Sequence, residues 1–181
     1  MAVANPAAVD LSAALCAAGP HADHAESLML FGQFVGAWDF DWASYAEDGD
    51  QTLTNAGEWI FGWVLEGRAV QDVWIIPSRE RRGVAGAPAG EYGTTVRWYD
   101  PRLDAWLVTW NGPVNRARRT LIARAVGDEI VQEDQTEEGW PLRWIFSEIE
   151  ERSFHWSSLY STDGEQTWLL REEMEVRRKP G

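Results

Sequence analysis

A short stretch of alternating aromatic and acidic residues constrains the fold of this chain more than any other feature. Trp38, Phe40 and Trp42 alternate with Asp39 and Asp41. Period-two alternation is typical of a β-strand, because successive side chains of a strand point to opposite faces. Three large aromatic side chains on one face need a large apolar surface to pack against. The stretch therefore predicts a strand with one face in an aromatic interior.

The same alternation recurs along most of the chain. With the turn residues between segments, it predicts strands over about 37–46, 52–64, 68–77, 92–99, 105–111, 117–126, 129–135, 140–149, 153–161 and 166–178. No helical pattern separates one strand from the next, which disfavours a parallel sheet of alternating strands and helices. Regular spacing and tight turns predict an all-β fold, a single antiparallel up-and-down β-barrel of about ten strands.

The region before the first strand has a different pattern. Residues 1–22 are rich in alanine and contain two prolines, which predicts a loose N-terminal arm. A short helix is expected over about residues 23–35, with Asp23 as its N-cap. Its apolar stripe comprises Leu28, Phe31, Phe34 and Val35. A helix of about three turns is unstable alone, so we expect it to pack on one end of the barrel within a single domain, residues 23–181.

Tryptophan is the unusual part of the composition, with twelve residues in a chain of 181. Each indole buries on the order of 200 Å² and carries an N–H that needs an acceptor. Two interpretations stay open: a bulky solid core, or a pocket with aromatic walls.

The formal net charge of −13 argues against nucleic acid and anionic membrane surfaces as partners. The charge is unevenly distributed. Residues 68–124 hold ten arginines and five acids, whereas residues 125–175 hold fourteen acids and three arginines. Cross-strand ion pairing is the first explanation, and a basic binding face is the second.

Signals of cellular location are few. Cys16 is the single cysteine, so no internal disulfide can form, as expected in a reducing compartment. The first twenty residues hold no lysine or arginine, which is atypical of a secretion signal. No apolar run reaches the roughly 20 residues of a membrane span. We therefore expect a cytoplasmic protein.

Three stretches carry a resemblance to a known family. They are Gly36-Ala37-Trp38 after the helix, Trp98-Tyr99-Asp100-Pro101 followed by Trp106 and Trp110, and Ser161-Thr162-Asp163-Gly164 followed by Trp168. In order and spacing they resemble an uncharacterised bacterial lipocalin-like (calycin-type) β-barrel family, over about residues 30–178. The resemblance implies a single barrel with an internal cavity. Lipocalin-like barrels mostly bind hydrophobic small molecules, and a minority are enzymes. The glycine-rich G-x-W-x-G-x-G of haem-binding relatives is absent.

Strand parity predicts which side chains line the lumen, because a barrel in water turns its apolar face inward. The predicted ligand-binding residues are Trp42, Trp59, Trp63, Trp74, Arg97, Trp110, Trp144, Trp156 and Tyr160. The same parity sends three carboxylates inward, Asp72, Glu148 and Glu172, which are the candidate catalytic residues. A buried carboxylate is costly unless it is paired or protonated, so these acids either reach water near strand ends or orient a polar ligand group.

Several functions stay open at this point. The first is binding of a hydrophobic, aromatic or polycyclic molecule, with no cofactor and no metal. The second is a cofactor-independent isomerase, cyclase or lyase in which a lumen carboxylate acts as general acid or base. The third is haem binding through His155, although parity turns that ring outward. The fourth is a structural protein with a filled barrel. A homodimer is possible, and the glycine-containing loop 77–90 forms either a flap or a plain surface loop.

Overall fold

The computed structural model describes residues 10–83 and 90–180. These residues form two helices, α1 (Leu11–Leu15) and α2 (Ala25–Gly32), and ten strands. The strands are β1 (Gly36–Tyr45), β2 (Gln51–Val64), β3 (Ala69–Ile76), β4 (Glu91–Asp100), β5 (Ala105–Gly112), β6 (Ala117–Val126), β7 (Glu129–Gln135), β8 (Pro141–Ser147), β9 (Ser153–Tyr160) and β10 (Leu169–Arg178).

The ten strands close into one antiparallel barrel. Each strand pairs with its neighbours in sequence, and β1 also pairs with β10, which closes the sheet on itself. Register places Trp38 opposite Trp59 and Trp42 opposite Met174, so the aromatic face of β1 continues on both neighbours. The predicted up-and-down barrel with a short N-terminal helix is confirmed.

Helix α2 plugs one end of the barrel. Leu28, Phe31 and Phe34 are buried in the aromatic core. Gly32 allows the close approach, because a Cβ there would lie 2.3 Å from Cζ2 of Trp63. Strand β1 begins directly after this helix, and we call this end the closed end. The turns β1–β2, β3–β4, β5–β6, β7–β8 and β9–β10 lie at the other, open end, since antiparallel strands place successive turns at alternate ends.

The helix begins later than the sequence predicts. It follows His24, which has a φ of 63° and makes no side-chain capping hydrogen bond. The carboxylate of Asp23, the expected cap, lies instead 3.4 Å from Nη1 of Arg68. Asp23 therefore pairs with Arg68 and does not cap the helix.

The N-terminal segment was predicted as a loose arm, and its residues 1–9 lie outside the described part. Asp10 caps helix α1 by accepting from the backbone N–H of Ala13 at 3.0 Å. The N–H of Ala17 then donates to the carbonyl of Trp63 at 2.9 Å, and the N–H of His21 donates to the carbonyl of Gly67 at 3.0 Å. Residues 10–21 therefore run beside the turn between β2 and β3. No helix in residues 10–83 and 90–180 is long and apolar enough to cross a membrane.

The last strand begins at Leu169, three residues later than predicted. A turn centred on Asp163 precedes it, in which Oδ1 accepts from the N–H groups of Gln166 and Thr167 at 3.0 and 2.9 Å. The Thr167 hydroxyl and these N–H groups lower the pKa of Asp163 to about 2. Hydrogen bonds to the Asp163 side chain thus replace strand pairing in residues 166–168, which the sequence predicted as part of the strand.

An ion pair joins the basic and acidic segments, as the first explanation of the charge pattern predicts. Arg119 on β6 lies 3.4 Å from Asp134 on β7. Cross-strand pairing therefore accounts for part of the uneven charge distribution.

Candidate functional site

A cavity of about 320 Å³ lies in the lumen toward the open end of the barrel. Tryptophans dominate its wall: Trp59, Trp74, Trp110, Trp144 and Trp156. The remaining lining residues are Glu91, Thr95, Arg97, Asn115, Ala117, Arg119, Leu142, Ser158, Arg171, Glu172 and Met174. The closed half of the lumen is filled by α2 and the rings around it, so the space is confined to the half that faces the open end.

The aromatic wall is braced by edge-to-face contacts. The rings of Trp144 and Trp156 lie 5.6 Å apart at 60°, and those of Trp74 and Trp110 lie 6.0 Å apart at 84°. Trp74 also stacks on Phe40 at 5.3 Å with an angle of 8°. These separations are in the favourable range for aromatic pairs, so the contacts stabilise the wall.

Arg97 and Asp72 form a buried ion pair at the edge of the cavity. The guanidinium Nη1 of Arg97 donates to Oδ2 of Asp72, and the backbone N–H of Thr95 donates to Oδ1 at 3.3 Å. The guanidinium carbon lies 5.0 Å from the ring centre of Phe31 in the plug. A carboxylate and a ring face together compensate the loss of water around this cation.

Glu172 is the second candidate carboxylate on the cavity wall. Its Oε2 accepts a hydrogen bond from the indole Nε1 of Trp42 at 3.2 Å. Trp42 does not line the cavity itself, but it orients the carboxylate that does. Next to it, Trp74 Nε1 donates to the sulfur of Met174 at 3.3 Å.

Glu91 organises the rim at the open end. Its carboxylate accepts from the backbone N–H groups of Tyr92, Val114 and Asn115 at 2.9, 3.0 and 2.9 Å. Arg82 donates from Nη1 to the carbonyl of Glu91 at 3.0 Å and so holds the base of the loop 77–90. Residues 84–89, at the centre of the loop predicted as either a flap or a plain surface loop, lie outside the described part.

Seven of the predicted site residues share the cavity: Trp59, Trp74, Arg97, Trp110, Trp144, Trp156 and Glu172. Asp72 lies beside it as the partner of Arg97. The others are placed elsewhere. Trp63 packs against α2 at the closed end, and Tyr160 stacks on Trp140 at 5.9 Å, where burial raises the pKa of its hydroxyl. Glu148 is exposed in the turn after β8, with a φ of 51°.

His155 lies on the outer face of the barrel. Its Nδ1 is 3.4 Å from the Ser147 hydroxyl, and its Nε2 is 3.4 Å from Oε2 of Glu173. Its neighbours in sequence, Phe154 and Trp156, are buried in the core. This geometry does not support haem ligation inside the lumen by His155. Within residues 10–83 and 90–180, no group of three or more His, Cys, Asp or Glu side chains is arranged to hold a metal ion.

Sequence reasoning missed several polar lining residues. Glu91 and Thr95 have the same parity as Arg97, and Arg119 has the parity of the buried Leu121, so alternation could have identified all three. Asn115 lies in a turn, where parity carries no information.

No protein-family model matches the chain, and no curated protein matches it.

Proposed function

We propose that the barrel binds a hydrophobic, aromatic or polycyclic small molecule in the cavity at its open end. The observation that carries this proposal is a preformed space of about 320 Å³ with five tryptophans on its wall. Small-molecule sites are typically apolar cavities of about 300–1,000 Å³ with a few placed polar groups. The volume is near the lower limit, so the ligand is compact, with the size of two or three fused rings.

The polar groups support a ligand that is mainly apolar but oriented. Arg97 and Glu172 face the same cavity from β4 and β10, and each is held by a partner, Asp72 and Trp42 respectively. Side chains held in this way can select the orientation of a ligand without having to reorganise. A ten-stranded antiparallel barrel with an aromatic interior is also consistent with the lipocalin-like family that the sequence resembles.

Binding is tested by a tryptophan-fluorescence screen against compact aromatic compounds. Because the wall is made of tryptophans, a bound ring changes their emission, and we expect dissociation constants in the micromolar range. The variant Ala117→Trp places a large side chain at the cavity rim and should abolish the change. Ala125→Trp, on the same face of the same strand at its other end, is the matched control. A screen without any ligand, or equal binding by both variants, contradicts the proposal.

A second candidate function, an isomerase, cyclase or lyase, is favoured by one observation. Glu172 places a carboxylate on the cavity wall, oriented by Trp42, where it would contact a bound molecule and could transfer a proton. Each ligand from the screen is incubated with the protein and examined by NMR for a rearranged product. Glu172→Gln should abolish such a reaction, and the absence of turnover for every ligand leaves binding as the function.

A further inference from the structure

Two buried N–H groups beside the cavity lack an acceptor. Within residues 10–83 and 90–180, neither Nε1 of Trp59 nor Nε of Arg97 has a hydrogen-bond partner. The two residues are only 4% and 1% exposed, and both line the cavity. Buried donors are normally paired, because an unpaired one loses its bond to water without compensation.

Three other indoles of the barrel interior have an acceptor for their N–H. Trp38 donates to the carbonyl of Phe34 at 2.7 Å, Trp42 to Glu172 at 3.2 Å and Trp74 to Met174 at 3.3 Å. Trp59 instead lies among phenyl rings, with centroid distances of 4.9 Å to Phe61, 5.6 Å to Phe146, 5.9 Å to Phe154 and 6.5 Å to Phe40. Ring faces are weak acceptors, so they do not replace an oxygen.

The two donors belong to one region of the lumen. The ring of Phe146 lies 5.6 Å from the Trp59 ring and 5.9 Å from the guanidinium carbon of Arg97. Trp59 and Arg97 therefore border the same deep part of the lumen, on either side of Phe146. A ligand group that pairs with either of them must offer lone pairs, because both protein atoms are donors.

Charge decides between an anionic and an uncharged acceptor. The cavity wall carries three guanidinium groups, from Arg97, Arg119 and Arg171. They are offset by Glu91 and Glu172 on the same wall, and by Asp72 and Asp134, the ion-pair partners of Arg97 and Arg119. An anionic ligand would bury an additional negative charge among groups that are already compensated, which is costly.

An uncharged carbonyl oxygen fits these conditions best. It has two lone pairs and so can accept from one or both donors. A hydroxyl group would bring a hydrogen that neither of these two donors can accept. Resting on the function proposed above, we propose that the ligand is an uncharged aromatic or polycyclic carbonyl compound, and that its oxygen is buried against Nε–H of Arg97 and Nε1–H of Trp59.

Three compounds of the same ring shape test this inference: fluorene, 9-fluorenone and fluorene-9-carboxylate. Equilibrium dialysis gives their affinities without depending on quenching. We expect 9-fluorenone to bind about tenfold more tightly than fluorene, because one or two net hydrogen bonds are gained, and the carboxylate to bind more weakly than 9-fluorenone. Equal affinity of fluorene and 9-fluorenone overturns the inference and leaves the proposed function intact. Tightest binding by the carboxylate also overturns it, and failure of all three compounds to bind overturns both proposals.

Protein variants assign the contact to the two donors. Trp59→Phe keeps the ring but removes the N–H, and should lower the ratio of 9-fluorenone to fluorene affinity about three- to tenfold. The matched control Trp98→Phe makes the same change on the outside of β4, where the side chain is 43% exposed, and should keep the ratio. The carbonyl stretching band of bound 9-fluorenone should shift to higher frequency in Trp59→Phe, and an unshifted band with an unchanged ratio contradicts the Trp59 contact.

Arg97 needs a paired replacement, because removing it alone leaves Asp72 buried without its partner and can prevent folding. The double variant Arg97→Met with Asp72→Leu removes both charges at similar volume. It should lose the preference for 9-fluorenone over fluorene about as strongly as Trp59→Phe does. A folded double variant with the full preference overturns the assignment to Arg97.

Discussion

Arg97 on β4 and Asp72 on β3 form an ion pair inside the barrel with side chains that are only 1% and 0% exposed. The two positions are diagonal neighbours, because Asp72 is in register with Thr95 and Val70 with Arg97. The guanidinium thereby stands beside a cavity lined with tryptophan, and an apolar site acquires one oriented polar group.

The first prediction concerns the strength of this pair. Asp72→Asn leaves the Arg97 guanidinium buried without a counter-charge, so we expect the free energy of unfolding to fall by about 3–5 kcal/mol. Urea denaturation measures it. Asp41→Asn is the control, because the Arg177–Asp41 pair has side chains that are 63% and 68% exposed and should contribute about 0–1 kcal/mol. Similar losses of unfolding free energy in both variants would show that breaking the buried Arg97–Asp72 pair costs no more than breaking the exposed Arg177–Asp41 pair.

The second prediction concerns acid stability. Hydrogen bonds from the Arg79 side chain, aided by the Arg79 N–H and by Lys179, lower the pKa of Glu58 from 4.5 to about 2. The folded state thus favours the carboxylate, so its contribution is complete above about pH 5 and is lost as pH falls from 4.5 toward 2. The side chain of Arg79 is 56% exposed, so solvent screens the pair and we expect only about 1–2 kcal/mol.

Urea denaturation of Glu58→Gln and wild type at pH 7 and pH 3 measures this contribution. The free energy of unfolding that Glu58→Gln loses relative to wild type should be larger at pH 7 than at pH 3. Glu129→Gln, an exposed change on β7, should show the same small difference at both values. A Glu58→Gln deficit that grows on acidification would contradict the assigned sign.

The third prediction concerns the rim of the cavity. In Gly112→Ala the new Cβ would lie 2.6 Å from Oε2 of Glu91, and this carboxylate holds the N–H groups of Val114 and Asn115. Since Glu91 is buried, its displacement breaks charge-assisted bonds, with an expected loss of about 1.5–3 kcal/mol. Gly62→Ala on β2 meets no atom within 4 Å and is the matched control. Thermal unfolding compares Gly112→Ala with Gly62→Ala. Equal stability of the two variants would show that the Glu91 carboxylate can move without a loss of stability.

The fourth prediction concerns Trp38 at the closed end. Its indole donates to the Phe34 carbonyl at 2.7 Å, and the Arg178 guanidinium lies 4.0 Å from its ring centre. Trp38→Phe removes the hydrogen bond and leaves space in the core, so unfolding should become easier by about 2–4 kcal/mol. Trp98→Phe, on the outer surface, should change stability by at most about 0.5 kcal/mol. Guanidinium denaturation distinguishes the two, and equal effects would show that Trp38 does not anchor the helical plug.

Much of the fold was predictable because its signals are local. The strand bounds come from alternation and turn residues, and the structure confirms the closed antiparallel barrel. The helix starts later than predicted, and its expected cap, Asp23, lies beside Arg68, a residue 45 positions away that no local pattern reveals.

The candidate site was predictable only in part. Parity separates residues that face the lumen from those that face outward, and it correctly groups Trp74, Trp110 and Trp144 on one interior surface. It does not identify Arg97 as the partner of Asp72. That pairing depends on the register between β3 and β4, which places Thr95 opposite Asp72 and Arg97 one diagonal step away.

The sequence by itself determined that this chain forms a barrel and which face of most strands points inward, because the period of a strand follows from the geometry of its backbone. The tertiary structure decided how deep each side chain lies, because depth depends on register around the closed sheet and on where helix α2 docks. Trp59 and Trp63 have the same parity on β2, yet Trp59 lines the cavity while Trp63 packs against Gly32 in the plug. The same alternation thus produced a site at one end and a packed core at the other.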